Sequence, residues 1–169
     1  MKKYLIFPLL AGSLVLTGCG KKEEASTANA ATPAKSDTAP AAAVANIELT
    51  ANDSMKYSQT SFEVKAGQEV KVTLTNMGTM PKTAMGHNFV LLKKGVDPKS
   101  IADAAITAAA TDYVPAAKAD DIIAHTKLLG PKESAEITFK APTEPGEYTF
   151  LCTFPAHYLA GMKGTITVK

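Results

Sequence analysis

From Asn46 onward the chain contains short runs in which hydrophobic and polar residues alternate, as expected for strands with one buried face. Six runs show this period of two, and their hydrophobic members are Ile47 with Leu49, Phe62 with Val64, Val70 with Val72 and Leu74, Ile137 with Phe139, Tyr148 with Phe150, and Ile166 with Val168. Turn signals such as Pro145-Gly146 separate several of the runs. The pattern predicts an all-β domain, either an antiparallel sandwich or a barrel.

One segment departs from the strand pattern. Residues 98–110 are rich in alanine, with Pro98 at the first helical position after Asp97, a residue type that often caps helices. We therefore expect one short helix inserted among the strands. Residues 46–169 form the predicted domain, which is long enough for a single hydrophobic core.

The first part of the chain lacks the strand pattern and predicts an export signal followed by a tether. Lys2 and Lys3 precede an apolar run that ends at Leu16 and is too short for a permanent membrane helix, so residues 1–18 read as a signal peptide. Residues 19–45 are rich in Ala, Thr and Pro and contain no aromatic residue. We expect a flexible tether there, because so little apolar surface cannot offset the entropy of ordering.

The end of the signal contains a more specific motif. The sequence Leu16-Thr17-Gly18-Cys19 resembles the lipobox of bacterial lipoproteins, in which the signal is cleaved before the cysteine and the cysteine is acylated. The resemblance implies lipidation of Cys19 and a membrane anchor; an ordinary secretory signal with a chance cysteine is the alternative. Gly20 follows in place of an aspartate, which by resemblance to Gram-negative sorting rules favours the outer membrane, with the domain in the periplasm or at the cell surface.

The charge balance argues against one class of partner. Removal of residues 1–18 takes away two of the 18 lysines and no acidic residue, which leaves 16 lysines against 16 carboxylates, and the chain has no arginine. Nucleic-acid binding depends on clustered Lys and Arg, so we expect none. A net charge of zero also argues against strong long-range steering toward a charged partner.

Four residues suggest a metal site. Cys152, His157 and Met162 share one loop between two predicted strands, and His87 comes from a distant strand. A thiolate with two imidazoles and a weak thioether suits copper, whereas zinc is usually held by Cys, His and carboxylates. Bound copper would also protect Cys152, which has no disulfide partner if Cys19 carries lipid. We therefore expect one type 1 copper ion.

At these residues the sequence resembles the azurin family of cupredoxins. The matching motifs are Met85-Gly86-His87-Asn88, Cys152-Thr153-Phe154-Pro155 and Met162-Lys163-Gly164-Thr165, together with Tyr113-Val114-Pro115 and Ile123-Ala124-His125-Thr126-Lys127-Leu128. The resemblance covers roughly residues 46–169 and implies a Greek-key β-sandwich.

The resemblance also implies a role for each residue of the site. His87, Cys152 and His157 would form the equatorial plane, with Met162 on one axial side and the Gly86 carbonyl on the other. The backbone amides of Asn88 and Phe154 would donate hydrogen bonds to the Cys152 sulfur and so tune the reduction potential. An apolar docking patch would surround the exposed edge of His157; its members are Met80, Met85, Phe154, Pro155 and Tyr158.

Four features depart from the azurin pattern. Four residues, not three, separate His157 from Met162, a spacing that resembles auracyanins and plastocyanins. Ala156 stands where azurins commonly have glycine, and by alignment Asn76 replaces the family's buried non-ligand histidine. The azurin disulfide is absent, since neither cysteine falls at its positions.

The preferred hypothesis is a carrier of single electrons, not an enzyme, that serves c-type cytochromes or a terminal reductase or oxidase. A copper trafficking or storage protein is the alternative. A thiol enzyme with Cys152 as nucleophile and His157 as base is a third hypothesis. An oxidase or nitrite reductase would need a second copper centre, which His125 alone cannot provide.

Overall fold

The computed structural model describes residues 43–169. The predicted signal peptide, the lipidation site Cys19 and most of the tether lie outside the described residues, so these boundaries stay predictions. The first strand begins at Ala45, next to the predicted start of the domain at Asn46. Among the described residues, the helices are too short or too polar to cross a membrane.

The described residues form nine strands and two α-helices, with two 3₁₀ segments at Ala109–Thr111 and Ala116–Asp121. The elements are β1 (Ala45–Asn52), β2 (Lys56–Tyr57), β3 (Ser61–Val64), β4 (Glu69–Asn76), α1 (Lys82–Met85), β5 (Val90–Leu92), α2 (Pro98–Ala105), β6 (Ile122–His125), β7 (Ser134–Lys140), β8 (Gly146–Leu151) and β9 (Lys163–Val168). One sheet has the order β2-β1-β4-β7 and the other the order β3-β9-β8-β5-β6.

The alternating hydrophobic residues of the two sheets meet in one core. Val70, Val72 and Leu74 of β4 are fully buried, and Phe150 and Ile166 belong to the same cluster from the other sheet. Burial of such side chains is the main favourable contribution to folding. The predicted all-β sandwich with a small helical insertion is confirmed, and the barrel alternative is excluded.

Strand direction and the short strands were not predictable from the alternating pattern. β1 pairs with β4 and β3 pairs with β9 in parallel, so the expectation of a purely antiparallel sandwich is wrong. A period of two shows only which face is buried and carries no information on direction. β5 lacks alternation because both of its faces are covered: the sandwich lies on one side and Ile101 of α2 packs on the other.

The predicted helix is shorter than expected. α2 ends at Ala105, and the carboxylate of Asp97 accepts hydrogen bonds from the amides of Lys99 (3.0 Å) and Ser100 (3.2 Å), as expected for an N-cap. A second helix, α1, was not predicted. It is a single turn of four residues, too short to show a helical hydrophobic period.

Candidate metal centre

Two loops at one end of the sandwich hold the predicted ligands. His87 precedes β5 and pairs with Leu129, with its amide 3.1 Å from the Leu129 carbonyl and its carbonyl 2.7 Å from the Leu129 amide. Cys152 directly follows β8, and its amide donates to the carbonyl of Met162 (3.1 Å). The Met162 amide in turn donates to the carbonyl of His157 (3.0 Å). Backbone hydrogen bonds thus fix both loops; we refer to this end as the metal end.

The structure brings three of the predicted ligands together. The candidate ligand atoms of His87, Cys152 and His157 all lie within 4.8 Å of one another. The Cys152 Sγ atom lies 3.4 Å from Nδ1 of His157, and the centres of the two imidazole rings are 4.9 Å apart. The side chains are buried, with exposures of 0%, 0% and 2%, and Met162 is buried too. One ion with a sulfur ligand and two nitrogen ligands fits this arrangement.

The hydrogen bonding of these residues also fits a metal ion. Neither ring nitrogen of His87 has a hydrogen-bond partner among the described residues, although both are buried. Buried polar atoms are normally satisfied, because an unpaired one is costly. Cys152 is a free, buried cysteine. A copper ion would satisfy one nitrogen of His87 and occupy the sulfur of Cys152.

Burial places both imidazoles in the form that binds metals. It lowers the pKa of His157 to about 4, assisted by the charge of His87, so the ring is neutral at neutral pH. Burial lowers the pKa of His87 as well; the nearby Asn52 backbone and the charge of Asp53 oppose this shift.

The pKa of the Cys152 thiol shifts in the opposite direction to those of the two histidines. Burial raises the pKa of Cys152 to about 12, while hydrogen bonds from the backbone amides of Asn88 and Phe154 act to lower it. These are the two amides for which the resemblance to azurins implies contacts with the sulfur. A thiol with so high a pKa loses its proton at neutral pH only when a cation replaces it, so metal binding must release a proton.

The side chain of Asn88 joins the two loops, which the sequence did not reveal. Its Oδ1 accepts from the Thr153 amide (2.9 Å), and its Nδ2 donates to Thr153 Oγ1 (2.8 Å) and to the Asp112 carbonyl (3.0 Å). The hydroxyl of Tyr57 donates to the Asn88 carbonyl (2.6 Å). This network links the His87 segment to the Cys152 segment. The only signal for this network in the sequence was the asparagine that directly follows the predicted ligand His87.

The predicted docking patch is only partly at the surface. Met80 is 40% exposed, and Met85, Pro155 and Tyr158 are half-buried. Phe154 is 8% exposed, since its ring packs against those of Tyr113 and His157 at centre distances of 5.0 and 4.7 Å. The exposed edge that we expected for His157 is not found, because its ring lies between the side chains of Phe154 and His87.

Two further exposed residues of the metal end were not predicted from the sequence. Met77, directly after β4, is 52% exposed, and Leu159, in the ligand loop, is 76% exposed. The signal that could have found Leu159 was its place in the loop between His157 and Met162. His125, which was given no role, is exposed and lies at the end of β6.

Two small residues shape the ligand loops. A Cβ atom added at Gly86 would lie 2.8 Å from the Leu128 side chain and from the Lys82 carbonyl, so only glycine fits beside His87. Ala156, before the second histidine, has a φ of 69°, a backbone conformation that favours glycine. The structure thus explains why glycine is common at this position in azurins.

Known proteins with similar sequences include copper-binding proteins. Residues 43–169 match the family model of copper binding proteins of the plastocyanin/azurin family. The chain is 43% identical over 121 residues to outer membrane protein H.8 of Neisseria meningitidis, a match covering 69% of this chain and 63% of that protein. It is 37% identical over 133 residues to azurin of Pseudomonas aeruginosa, covering 76% of this chain and 87% of that protein.

Solved structures with a similar fold point to the same family. A crystal structure of dithionite-reduced auracyanin from Roseiflexus castenholzii superposes with a TM-score of 0.66 and 43% identity, covering 73% of this chain and 96% of that one. The chain spans only 63% of protein H.8 and 49% of auracyanin-B of Chloroflexus aurantiacus. The family match and the three clustered side chains confirm the predicted cofactor, one type 1 copper ion. The chain belongs to the plastocyanin/azurin family of copper-binding proteins.

Proposed function

We propose that this protein carries single electrons by means of its copper site. The observation that carries the proposal is the buried cluster of one sulfur and two imidazole nitrogens, all within 4.8 Å of one another. When bound, the copper ion supplies a centre that alternates between Cu(I) and Cu(II). The burial of all three side chains keeps water, and therefore competing ligands, away from the site.

We assign the ligand roles as the family resemblance implies them. His87, Cys152, His157 and Met162 would hold the ion, together with the carbonyl of Gly86. The backbone pairs His87–Leu129 and Cys152–Met162 support this assignment, because they fix both loops independently of the metal. Ligands held in this way need to move little when the charge at the site changes.

The backbone amides of Asn88 and Phe154 are proposed to tune the potential. Both lower the pKa of the Cys152 thiol, which means that they stabilise negative charge on its sulfur. An amide that draws electron density from a ligating sulfur favours the reduced state of the site. The side-chain network of Asn88 keeps its own amide in this position.

The proposed partners are c-type cytochromes or a terminal reductase or oxidase, bound transiently at the metal end. Exposed methionine side chains such as Met80 suit short-lived contacts, because they adapt to different surfaces. Lipidation of Cys19 would anchor the protein to the outer membrane. This location is supported by the similarity to protein H.8, which is named as an outer membrane protein.

Reconstitution of the full-length protein with Cu(II) tests the proposal. We expect an intense blue thiolate-to-copper absorption band and a reversible one-electron wave in voltammetry. The matched control is Cys152→Ser, which should show neither signal. A colourless or redox-silent copper complex of the native protein would reject the proposal.

Two alternatives make different predictions. A trafficking protein should release Cu(I) readily to a chelator in competition dialysis, but the buried site argues against easy transfer. A thiol enzyme requires a reactive thiolate, whereas Cys152 is fully buried and its pKa is raised to about 12. Alkylation of the copper-loaded protein should therefore leave Cys152 unmodified.

A further inference from the structure

The metal end carries three exposed apolar side chains in two segments beside the predicted ligands, and we refer to them as the apolar cluster. Met77 and Met80 lie between β4 and α1, with exposures of 52% and 40%, and Leu159 lies in the ligand loop with an exposure of 76%. Both segments adjoin the ligands: Leu159 is two residues from His157, and α1 is followed directly by Gly86. Exposed apolar clusters of this kind commonly mark interaction sites.

Three exposed lysines border this cluster, each at a defined position. The Nζ atom of Lys132 donates to the Met77 carbonyl (2.9 Å), and that of Lys56 donates to the carbonyl of Ala160 (2.6 Å). The Nζ atom of Lys163 lies 5.0 Å from the ring centre of Tyr158, within the range of a cation–π contact. We refer to Lys56, Lys132 and Lys163 as the lysine rim.

The lysine rim has no ion-pair partner among the described residues. None of the ion pairs among the described residues includes a lysine of the rim. These ion pairs are Lys71–Glu136, Lys94–Glu144, Lys99–Asp103, Lys118–Asp121 and Lys169–Glu63. The positive charge of the rim is therefore available to a partner.

Lysines outnumber the acidic side chains of the metal end, because Lys82 and Lys127 lie near Glu133 in addition to the three lysines of the rim. The carboxylate of Asp53 accepts hydrogen bonds from the amide (2.8 Å) and the hydroxyl (2.9 Å) of Thr79. The carboxylate of Glu133 accepts from the Gly130 amide (2.8 Å). Asp112, the third acidic residue here, forms no ion pair with the rim.

We propose that the metal end docks redox proteins that carry carboxylates around an apolar centre. Met77, Met80 and Leu159 would pack on the centre, and the lysine rim would pair with the carboxylates. Charged rims around apolar centres are typical of transient interfaces, where they raise the association rate. The proposal rests on the proposed function and specifies the class of partner. It differs from the expectation drawn from the zero net charge, because it depends on the local charges of the metal end.

The test is an NMR titration of the ¹⁵N-labelled, copper(I)-loaded full-length protein. An acidic plant-type ferredoxin is the first probe, and a basic mitochondrial-type cytochrome c is the second. With ferredoxin at low salt, we expect shifts concentrated at the amides of Met77, Met80 and Leu159. Raising the salt to about 200 mM should weaken this binding about tenfold, because exposed charges are then screened.

Matched triple variants isolate the lysine rim. Lys56→Gln/Lys132→Gln/Lys163→Gln should weaken ferredoxin binding about tenfold, as expected for the loss of three contacts of modest strength. The control Lys65→Gln/Lys93→Gln/Lys140→Gln removes the same charge from three lysines away from the metal end that also lack an ion pair among the described residues. It should stay within about twofold of the native affinity, because such distant exposed charges are largely screened.

Other results would overturn the proposal. One is that the two triple variants weaken ferredoxin binding equally. Another is that cytochrome c binds at the metal end as tightly as ferredoxin does. If circular dichroism shows that the triple rim variant does not fold, the single variants Lys132→Gln and Lys163→Gln replace it. Each of them should weaken ferredoxin binding about twofold. Voltammetry of the native protein at an electrode needs no partner, so it tests the electron-carrier function separately.

Discussion

The two ends of the sandwich use burial for different purposes. Every buried polar side chain of the described part lies at the metal end or beside it: Asn76, His87, Asn88, Thr126, Thr153 and His157. Toward the opposite end, the interior between the sheets is apolar, and some of the surface charges are paired, as in Lys169–Glu63. The opposite end therefore stabilises the fold, whereas the metal end lowers its stability because polar side chains there are held away from water.

The largest expected effect is the loss of the sulfur ligand at the metal end. Cys152→Ser should abolish the blue absorption and lower the affinity for copper by more than about 100-fold, because a hydroxyl is a poor ligand for copper. Absorption spectroscopy and copper analysis measure this. Cys19→Ser is the control, since it removes the other cysteine and should leave the spectrum unchanged. A blue Cys152→Ser protein would disprove the assigned site.

The next largest effect is expected in the apolar core. Ile166 is 1% exposed and pairs with Tyr148 in the half of β9 that lies away from the ligand loop. Ile166→Ala should lower the free energy of unfolding by about 2–5 kcal/mol, through lost burial and a residual cavity. Denaturation in urea measures this cost. The absorption spectrum should stay native; a changed spectrum would show that the two ends are not separable.

A smaller effect is expected where polar burial supports the ligands. Asn88→Leu leaves the buried amide of Thr153 without its acceptor, which should cost about 1–3 kcal/mol. The same change should shift the blue band and speed copper loss, because Asn88 connects the two ligand segments. Urea denaturation and the rate of copper transfer to a chelator measure these effects.

Gln68→Leu at the opposite end is the matched control. The Gln68 side chain also forms two hydrogen bonds with the backbone, at Lys65 and Ala43, but these are exposed to water. We expect a cost below about 0.5 kcal/mol and a native spectrum, because water replaces the lost partners. Equal costs for the Asn88 and Gln68 variants would contradict the distinction between the two ends.

Some features of both ends could be predicted from the sequence, and others could not. The alternating runs around Val72 and Ile166 located the strands correctly, because one face of each strand is buried. The spacing of Cys152 and His157 located the copper site, because ligand chemistry is specific to residue type. Pairing direction, the doubly buried β5 and the Asn88 network could not be predicted, since each depends on neighbours that are distant in the sequence.

The sequence also gave no indication of how the charges are distributed. A net charge counts lysines such as Lys56 and Lys71 alike, although Lys71 is paired with Glu136 and Lys56 binds a backbone carbonyl. Only the fold determines which charges neutralise each other. The exposure of Leu159 was hidden for a similar reason, because a loop residue between two buried ligands can point either way.

Apart from the control variants, the smallest predicted effect is a gain in stability at the metal end. Ala156 has a φ of 69° and an exposed side chain, so Ala156→Gly relieves backbone strain and loses little packing. We expect a gain of about 0.5–1 kcal/mol, since the strain of 1–2 kcal/mol exceeds the entropy cost of glycine. Ala108→Gly is the control: its φ is −98°, so glycine relieves no strain there and stability should fall. Thermal unfolding of the two variants should therefore show shifts of opposite sign, and a loss of stability in both would mean that Ala156 is not strained.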